Sequence, residues 1–390
     1  MRLGTQIRIG ALTSAAIVSL LATAGWSQSL TWLGTLGGNS SVAYGVSADG
    51  SVVVGEAYNA DGQRRAFRWQ NGVIQDLSTL GGNSSVAYGV SADGSVVVGE
   101  AYNADGQRRA FRWQNGIMQD IGGLPGEYGE SYGVSADGNV VVGVAYATEE
   151  PYLPRAFRWA YGAMQFLGTL PGGEDYSVAR GVSADGRVVV GWAENTTGWH
   201  RAFRWANGVM QDLGTISGSF SAALGVSADG SVVVGGSDGR AFRWANGVMQ
   251  DLGPGVALGV SNDGSVVVGG SDGRAFRWEN GVMQDMNQLY AHLLTNGSRL
   301  STARAISPNG RYIVGQGFNA ATQRTEAFLL DTGFPIYGDI DRNGCVDDTD
   351  LLAVISYLGE DGYRNEALNW DGIVDDTDLL SVIFYMGDGC

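Results

Sequence analysis

The sequence predicts an all-β fold, a seven-bladed β-propeller, followed by a small α-helical module built on two calcium loops. Seven copies of a four-strand repeat occupy residues 30–330. Thirteen acidic residues and two arginines follow Pro335, so this short segment holds much of the formal net charge of −16. These two features together predict a ring of β-sheets joined to a cation-binding C-terminal module.

The N-terminal segment has the layout of an export signal. Arg2 and Arg8 precede a mostly apolar run over residues 9–24, and small residues follow it. Such a run is too short and too weakly flanked for a stable membrane anchor. We therefore predict that residues 1–27 are a secretory signal peptide, that the protein is secreted or at the extracellular surface, and that the rest has no membrane span.

Two short motifs mark the repeats. Gly-Val-Ser-Ala-Asp-Gly, with one variant and one divergent copy, begins at Gly45, Gly89, Gly133, Gly181, Gly225, Gly259 and Ala305. Ala-Phe-Arg-Trp begins at Ala66, Ala110, Ala156, Ala202, Ala241 and Ala275, and a degenerate copy begins at Ala327. The spacing is typical of a propeller blade. Residues 35–72 and 79–116 are identical, which indicates a recent internal duplication.

Four antiparallel strands are predicted within each repeat. Asp-Gly at 49–50 and Asn-Gly at 71–72 supply the positive-φ residues of two-residue hairpin turns. The unbroken valine run 52–54 suits a strand that is covered on both faces. Phe67 and Trp69 alternate along a third strand, and we assign them to the core between blades. In the first repeat the predicted strands are 42–47, 51–58, 65–70 and 73–77.

Ring closure is the more specific prediction. The last repeat stops after three strands, at Leu330, whereas residues 30–36 match the fourth strand of other repeats, such as residues 210–216. Pairing of residues 30–36 with the seventh blade would complete the ring and leave no open edge for aggregation. A parallel β-solenoid is the alternative, because it also tolerates Gly-rich repeats, although it would not need the displaced strand.

The connections between strands differ from one face of the ring to the other. Asp-Gly turns recur in six repeats and Asn-Gly at 309–310 in the seventh, whereas the loops of the opposite face vary in length and composition. This varied, aromatic face is the predicted binding surface for a glycan or a protein. An alternative is that its aromatic side chains cover the rim and contact no ligand. The candidate residues are Tyr146, Tyr152, Trp192, Trp199 and His200.

The repeats resemble the HAF extracellular-repeat family over residues 30–330, on the paired Gly-Val-Ser-x-Asp-Gly and Ala-Phe-Arg-Trp motifs. The family is named for a His-Ala-Phe triplet, where this chain has Arg-Ala-Phe. The resemblance implies a surface or secreted location, and it implies no particular activity.

The sequence offers little support for catalysis, and we assign no catalytic residue. His200 and His292 are the only histidines, they fall in different repeats, and neither has the spacing of a hydrolase or metal site. A glycosidase needs only two suitably separated carboxylates, and no pair stands out. The strong negative charge argues against nucleic acid as a partner.

The C-terminal segment contains two calcium-loop patterns. Residues 339–350 place oxygen ligands at loop positions 1, 3, 5, 9 and 12, glycine at 6 and a backbone carbonyl at 7. The second loop lacks the first carboxylate, so the first should bind calcium more tightly. Apolar helices are predicted directly after the loops, over 351–358 and 379–386. The predicted ligands are Asp339, Asp341, Asn343, Cys345, Asp347, Asp350, Asn369, Asp371, Ile373, Asp375 and Asp378.

A repeated loop with Asp at position 12, followed directly by one helix, resembles the type I dockerin family across residues 338–390. A calcium-stapled folding unit without a partner is the alternative to cohesin binding. Dockerin-like pairing of the two halves implies a disulfide between Cys345 and Cys390, with free thiols as the alternative. In dockerins, positions 10 and 11 of each loop contact a cohesin partner, which here implies Asp348, Thr349, Asp376 and Thr377.

Two functional classes follow for a chain divided into domains 1–27, 28–334 and 335–390. The first is a secreted, non-catalytic binding or surface protein whose propeller recognises a glycan or protein, while the acidic module binds calcium and a cohesin-like partner. The second is an extracellular carbohydrate-active enzyme, a hydrolase or lyase, that carries the same module. Fold alone does not choose between them.

Overall fold

The computed structural model describes residues 28–122, 128–146, 153–333, 348–358, 374 and 376–385. The predicted signal peptide, residues 1–27, lies outside this part of the chain. Most of the described residues form short β-strands. None of the helices in the described ranges is long and apolar enough to cross a membrane.

The strands form seven units of four, which we number by repeat. The N-terminal strand β1 (Ser29–Gly34) belongs to unit 7. Units 1 to 3 comprise β2 (Gly37–Val46), β3 (Val52–Asn59), β4 (Arg64–Gln70), β5 (Val73–Asp76), β6 (Gly81–Val90), β7 (Val96–Asn103), β8 (Arg108–Gln114), β9 (Ile117–Asp120), β10 (Tyr128–Val134), β11 (Val140–Tyr146), β12 (Pro154–Ala160) and β13 (Ala163–Phe166).

The remaining units have the same four-strand layout. Units 4 to 6 comprise β14 (Ser177–Val182), β15 (Val188–Glu194), β16 (His200–Ala206), β17 (Val209–Asp212), β18 (Ser221–Val226), β19 (Val232–Ser237), β20 (Arg240–Ala245), β21 (Val248–Pro254), β22 (Val256–Val260), β23 (Val266–Ser271), β24 (Arg274–Glu279) and β25 (Val282–Asp285). Unit 7 adds β26 (Arg299–Ile306), β27 (Tyr312–Asn319) and β28 (Arg324–Asp331) to β1. A short helix α1 (Met286–Leu289) and a 3-10 turn (Ala291–Leu293) join units 6 and 7.

Each unit is an antiparallel meander, as the turn chemistry predicts. Units 2 to 6 are separate four-stranded sheets, and units 1 and 7 share one eight-stranded sheet. The two halves of that larger sheet meet at a single parallel pair between Ser40 and Thr325. The four strands predicted for the first repeat are therefore confirmed within a few residues. Antiparallel pairing throughout the units excludes the parallel β-solenoid.

The N-terminal segment completes unit 7. β1 pairs antiparallel with β28, from Ser29 opposite Asp331 to Gly34 opposite Ala327. Leu33 is buried, and the ring of Trp32 meets the ring of Phe328 edge-on, with centroids 6.3 Å apart. The prediction that this segment supplies the missing fourth strand is confirmed.

The units close into a ring whose junctions repeat the same contacts. The first strand of each unit contacts the first strand of the next, and β26 of unit 7 contacts β2 of unit 1. Between units 1 and 2, the Ser85 hydroxyl accepts a hydrogen bond from the amide of Ala66 at 2.9 Å. At the junction of units 7 and 1, Ser41 accepts the same bond from Ala327, also at 2.9 Å. The closing junction is therefore bonded like an internal one.

The core lies between neighbouring units and explains the constant motifs. Phe67 and its equivalents in other repeats are buried, as predicted, and Trp69 packs against the same cluster. A side chain could not replace Gly55, because its Cβ would lie 1.9 Å from the carbonyl oxygen of Val42. Gly94 has a φ of +72° and packs against Val52 of the preceding unit, so the Asp-Gly turn also serves the junction.

The C-terminal segment is described only in part. It contains helices α2 (Asp348–Tyr357) and α3 (Asp376–Tyr385), which pack against each other. Val354 and Val382, at equivalent positions, are fully buried. These helices overlap the apolar helices predicted at 351–358 and 379–386 but begin at loop position 10, while most of each predicted loop lies outside the described residues.

Candidate functional site

The first strand of every unit lines a central channel. A cavity of about 230 Å³ is bounded by the Gly-Val pairs of units 1 to 6 and by Ala305 and Ile306 of unit 7. The first strands therefore surround the axis. The Asp-Gly and Asn-Gly turns consequently lie on one face of the ring, which we call the constant face, and the other connections lie on the varied face.

One position of these inner strands varies although its neighbours are constant. It is the residue directly before each Gly-Val pair, and we call it the inner-strand position. In units 1 to 7 its occupants are Tyr44, Tyr88, Tyr132, Arg180, Leu224, Leu258 and Arg304. The ring of units therefore brings aromatic and cationic groups together on one side of the channel and two leucines on the other.

The aromatic and cationic members form a continuous row, which we call the tyrosine arc. The ring of Tyr88 lies 5.4 Å from that of Tyr44 and 5.1 Å from that of Tyr132, measured between centroids. The guanidinium of Arg304 lies over the Tyr44 ring at 5.4 Å, and that of Arg180 lies over the Tyr132 ring at 4.0 Å. Cation–π attraction holds each arginine at its end of the row.

Buried carboxylates and arginines alternate beside the arc, and we call this row the Glu–Arg ladder. Arg64 of unit 1 lies 3.5 Å from Glu56 and 2.9 Å from Glu100 of unit 2. Arg108 of unit 2 lies 3.6 Å from Glu100 and 2.7 Å from Glu130 of unit 3. Side chains of Glu100 and Glu130 are only 4% and 7% exposed. Each arginine therefore connects carboxylates of two neighbouring units.

The ladder and the arc are joined by hydrogen bonds. The Tyr132 hydroxyl donates to Glu130, and the Tyr44 hydroxyl donates to Glu56 at 3.4 Å. Burial raises the pKa of Tyr44 to about 12, and burial together with Glu130 raises the pKa of Tyr132 beyond its usual range. These tyrosines therefore remain neutral hydrogen-bond donors at any physiological pH.

The carboxylates of the ladder also have shifted pKa values. Burial raises the pKa of Glu56, against the opposing effect of Arg64. Burial raises the pKa of Glu100 as well, and the neighbouring charge of Glu130 adds to this effect. Carboxylates that are desolvated in this way gain from every additional hydrogen-bond donor placed near them.

Two of the predicted ligand-binding residues contact the cluster formed by the tyrosine arc and the Glu–Arg ladder. Trp192 forms part of it, because the Arg180 guanidinium lies over its ring at 5.5 Å. Tyr146 lies beneath the Arg108 guanidinium, at 5.6 Å. Both are half-buried side chains whose backbones lie in second strands of their units, β15 and β11.

The other three candidates do not all join this cluster, although Tyr176, on which His200 stacks, adds to the effects of burial and Glu130 that raise the pKa of Tyr146. His200 stacks on Tyr176, with ring centroids 4.6 Å apart, and Phe220 lies 6.2 Å from it on the other side. Trp199 is 52% exposed and lies at the end of the β15–β16 loop, directly before β16. Tyr152 lies outside the described residues. The varied face therefore does not bring all five candidates into one site.

Most of the predicted calcium and partner residues cannot be placed. Asp350 and Asp378, at position 12 of the two loops, are fully buried in the first turns of α2 and α3. Asp348 is exposed on α2. Thr349, Asp376 and Thr377 lie in these helices, and the other predicted ligands and both cysteines lie outside the described residues. Within the described ranges no group of three acidic, histidine or cysteine side chains could hold a metal ion.

The comparisons with known proteins bear on the fold alone. No family model and no curated protein matches the chain. Similar solved structures include an oligogalacturonate lyase from Vibrio parahaemolyticus, with 11% identity, a TM-score of 0.50 and coverage of 77% of this chain and 93% of that one. TolB from Acinetobacter baumannii has 14% identity and a TM-score of 0.44, and the match covers 73% of this chain and 64% of TolB.

A peptidase from Mycobacterium tuberculosis that hydrolyses puromycin is also similar, with 16% identity, a TM-score of 0.47 and coverage of 78% of this chain and 54% of that one. The chain thus spans less than two thirds of the length of TolB and of the peptidase. With its ring of four-stranded meanders, the chain is a β-propeller-like protein.

Proposed function

We propose that the chain is an exported, non-catalytic binding protein. Its units are the blades of a closed seven-bladed propeller of HAF-like repeats, and the channel mouth on the varied face binds a glycan. Its C-terminal segment is a dockerin-like module that binds calcium and docks a cohesin-like partner. The tyrosine arc is the observation that supports the glycan site most strongly.

A row of neutral tyrosines beside paired charges suits a sugar. The apolar faces of sugar rings stack on aromatic side chains, and the phenol hydroxyls hydrogen-bond to sugar hydroxyls. The arginines of the ladder, Arg64 and Arg108, are each about one third exposed and offer charged donors for further bonds, which are stronger than bonds between neutral groups. Because these groups are held by blade strands, the site is preorganised and loses little entropy when a ligand binds.

The second candidate, a carbohydrate-active enzyme, is favoured by one observation. A general acid needs a raised pKa, and Glu100 has one through burial. Against this role, the Glu100 side chain is held by Arg64 and is almost inaccessible. We therefore favour binding, and a hydrolysis screen of the same ligands distinguishes the two candidates.

The glycan site predicts different effects for neighbouring aromatic residues. Tyr88→Ala and Trp192→Ala should weaken binding about tenfold or more, because each removes a ring from the arc or its end. Trp199→Ala should leave affinity unchanged, since this exposed ring lies outside the arc. The measurement is a glycan-array screen of the mature protein, followed by calorimetric titration of each variant with the strongest ligand.

Tyr161→Ala is the matched control for this series. Tyr161 is 84% exposed in a turn of the constant face, so its removal should change neither binding nor melting temperature. Equal affinities for the parent, Tyr88→Ala and Trp192→Ala would contradict a site on the arc. A loss of affinity confined to Trp199→Ala would move the site to the rim of the ring.

The calcium proposal for the C-terminal module rests on its donor chemistry. The loops supply hard oxygen ligands, and their position-12 carboxylates, Asp350 and Asp378, are buried at equivalent places in α2 and α3. When bound, calcium would neutralise the crowded carboxylates of each loop and couple folding of the module to the metal. Residues that fit this role are thus present at both helix starts.

The calcium loops predict a metal-dependent module. Titration of the mature protein with calcium should release or absorb heat and raise helicity, with the first loop binding more tightly. Asp350→Ala should weaken that first site by about 100-fold, because position 12 contributes a charged ligand. Asp348→Ala is the control, since its exposed carboxylate belongs to the predicted partner surface and not to the ligand set. No calcium-dependent heat or helicity in the parent would contradict the assignment.

The partner proposal is supported by exposed apolar side chains on the same helices. Leu352 and Ile355 of α2, and their equivalents Leu380 and Ile383 of α3, are each about half exposed or more. Equivalent apolar patches of this kind mark protein–protein contact sites. They lie near the residues that the dockerin resemblance implies for cohesin contact, and pull-down with a panel of type I cohesins tests the proposal.

A further inference from the structure

The two arginines of the tyrosine arc differ from those of the Glu–Arg ladder. Arg64 and Arg108 each form ion pairs with carboxylates at 2.7–3.6 Å. Among the described residues, no acidic side chain forms an ion pair with Arg180 or Arg304. Both guanidiniums lie against aromatic rings instead. The channel therefore contains two positive charges without an ion-paired partner in the described part of the chain.

Arg304 shows this most clearly. Its Nε atom is buried and has no hydrogen-bond partner among the described residues. Glu56 is close enough for Arg304 to lower its pKa, but the two groups form no ion pair. A buried donor without an acceptor costs free energy, and a ligand that places a negative charge beside this guanidinium offsets that cost.

The side of the channel between these arginines is lined by small or apolar groups. Blades 5 and 6 have Leu224 and Leu258 at the inner-strand position. At the position where blade 2 has Glu100, these blades have Gly236 and Gly270. Aromatic rings and carboxylates therefore occupy one side of the channel, while the opposite side has no charged group at these four positions.

We propose that the glycan bound at the channel mouth is acidic, and that Arg180 and Arg304 each bind one of its carboxylates. This inference rests on the proposed glycan site. A guanidinium suits a carboxylate because its planar donors can form two parallel hydrogen bonds. The sugar rings would stack on the tyrosines between the two arginines, so an oligosaccharide of uronic acids satisfies both features of the arc.

The test compares matched acidic and neutral oligosaccharides. The probes are pentamers of galacturonate and mannuronate, each measured beside the carboxyl-reduced pentamer of the same stereochemistry. The parent protein should bind at least one acidic pentamer ten or more times more tightly than its reduced counterpart. This preference should weaken as salt is raised, because ion pairs are screened.

Variants assign the preference to the two arginines. Arg180→Gln and Arg304→Gln should each reduce affinity for the acidic pentamer about tenfold more than they reduce affinity for the carboxyl-reduced one. Arg187→Gln is the control, since Arg187 is 82% exposed and lies beside an Asp-Gly turn of the constant face. Melting temperatures confirm that each variant folds.

The outcomes separate this inference from the function on which it rests. Equal binding of acidic and reduced pentamers, abolished by Tyr88→Ala, would overturn the acidic-glycan proposal and leave the glycan site standing. An acidic preference that survives both arginine substitutions would overturn the role of Arg180 and Arg304. If neither kind of pentamer binds, and the array yields no other glycan, both proposals fall.

Discussion

A chain that begins at Gly37, without β1, is expected to lose more than about 5 kcal/mol of unfolding free energy and to aggregate. The deletion removes buried Leu33 and the packing of Trp32 on Phe328. Large-to-small changes at such sites cost about 2–5 kcal/mol each. The deletion also exposes the edge of β28, which then offers unpaired backbone groups to other chains.

Urea denaturation and light scattering measure this effect. Leu33→Ala should show an intermediate loss of about 2–5 kcal/mol. Val73→Ala is the matched control, because Val73 lies on the fourth strand of unit 1 and is mostly exposed. It should change stability by less than about 0.5 kcal/mol. An unchanged transition for the deletion would show that β1 does not close the ring.

Arg108→Gln is expected to destabilise the protein by about 3 kcal/mol. The substitution removes the charge that lies 2.7 Å from Glu130 and 3.6 Å from Glu100. Both carboxylates stay buried, and removing one partner of a buried ion pair leaves the other charge uncompensated. The cost should lie at the lower end of the usual range, because Arg108 itself is about one third exposed.

The loss of unfolding free energy caused by Arg108→Gln should depend on pH. Burial and Glu130 already raise the pKa of Glu100, and Arg108 is among the groups that lower it. Without Arg108 the pKa of Glu100 rises further. A raised pKa in the folded state favours folding at low pH and disfavours it as the pH increases. The deficit should therefore be largest at neutral pH and shrink as the pH falls towards 4.5, the ordinary value for a glutamate.

Arg240→Gln is the matched control for the ladder. Arg240 pairs with Asp251 at 2.6 Å, but both side chains are more than one third exposed. Loss of such a surface pair should cost less than about 1 kcal/mol. Thermal unfolding of parent and variants between pH 4.5 and 7.5 tests both expectations. Equal losses for the two substitutions would show that the ladder contributes no more than surface charges do.

The fold was predictable because repetition made each strand visible several times. The turn dipeptides, the valine runs and the Phe-Arg-Trp motif fixed the meander, and the spare segment at residues 30–36 fixed its closure. Ring closure was predictable because the pattern of a fourth strand occurs at residues 30–36, before the first repeat. The same pattern is missing from the end of the last repeat. Local signals repeated in seven copies overcome the usual ambiguity of short apolar runs.

The candidate site was harder to predict because its signal is a departure from the repeat. Trp192 and Tyr146 were predicted from the variation of the varied face. No residue at the inner-strand position was predicted. That position changes from Tyr88 to Arg180 to Leu224 directly before a motif that stays nearly the same. In a repeat protein, a variable residue within a constant strand is a signal of function.

The ladder could not be derived from single repeats at all. Residues 35–72 and 79–116 are identical, yet Glu56 is 15% exposed and Glu100 only 4%. The difference arises because Glu100 lies between Arg64 of unit 1 and Glu130 of unit 3, whereas Glu56 lies beside Arg64 of its own unit and near Arg304 of unit 7. The ion pairs of the ladder therefore depend on which repeats are adjacent in the ring.

Hydrogen–deuterium exchange of the mature protein, with and without the best glycan from the screen, tests the central claim most directly. The account predicts ligand-dependent protection in peptides that contain the tyrosine arc and Glu–Arg ladder, over residues 40–64, 84–108, 128–146, 177–194 and 299–306. Peptides that contain the Asn-Gly turns of the constant face, such as residues 205–210, should not change. Protection confined to those turns or to the rim loop around Trp199 would contradict a binding site at the channel mouth.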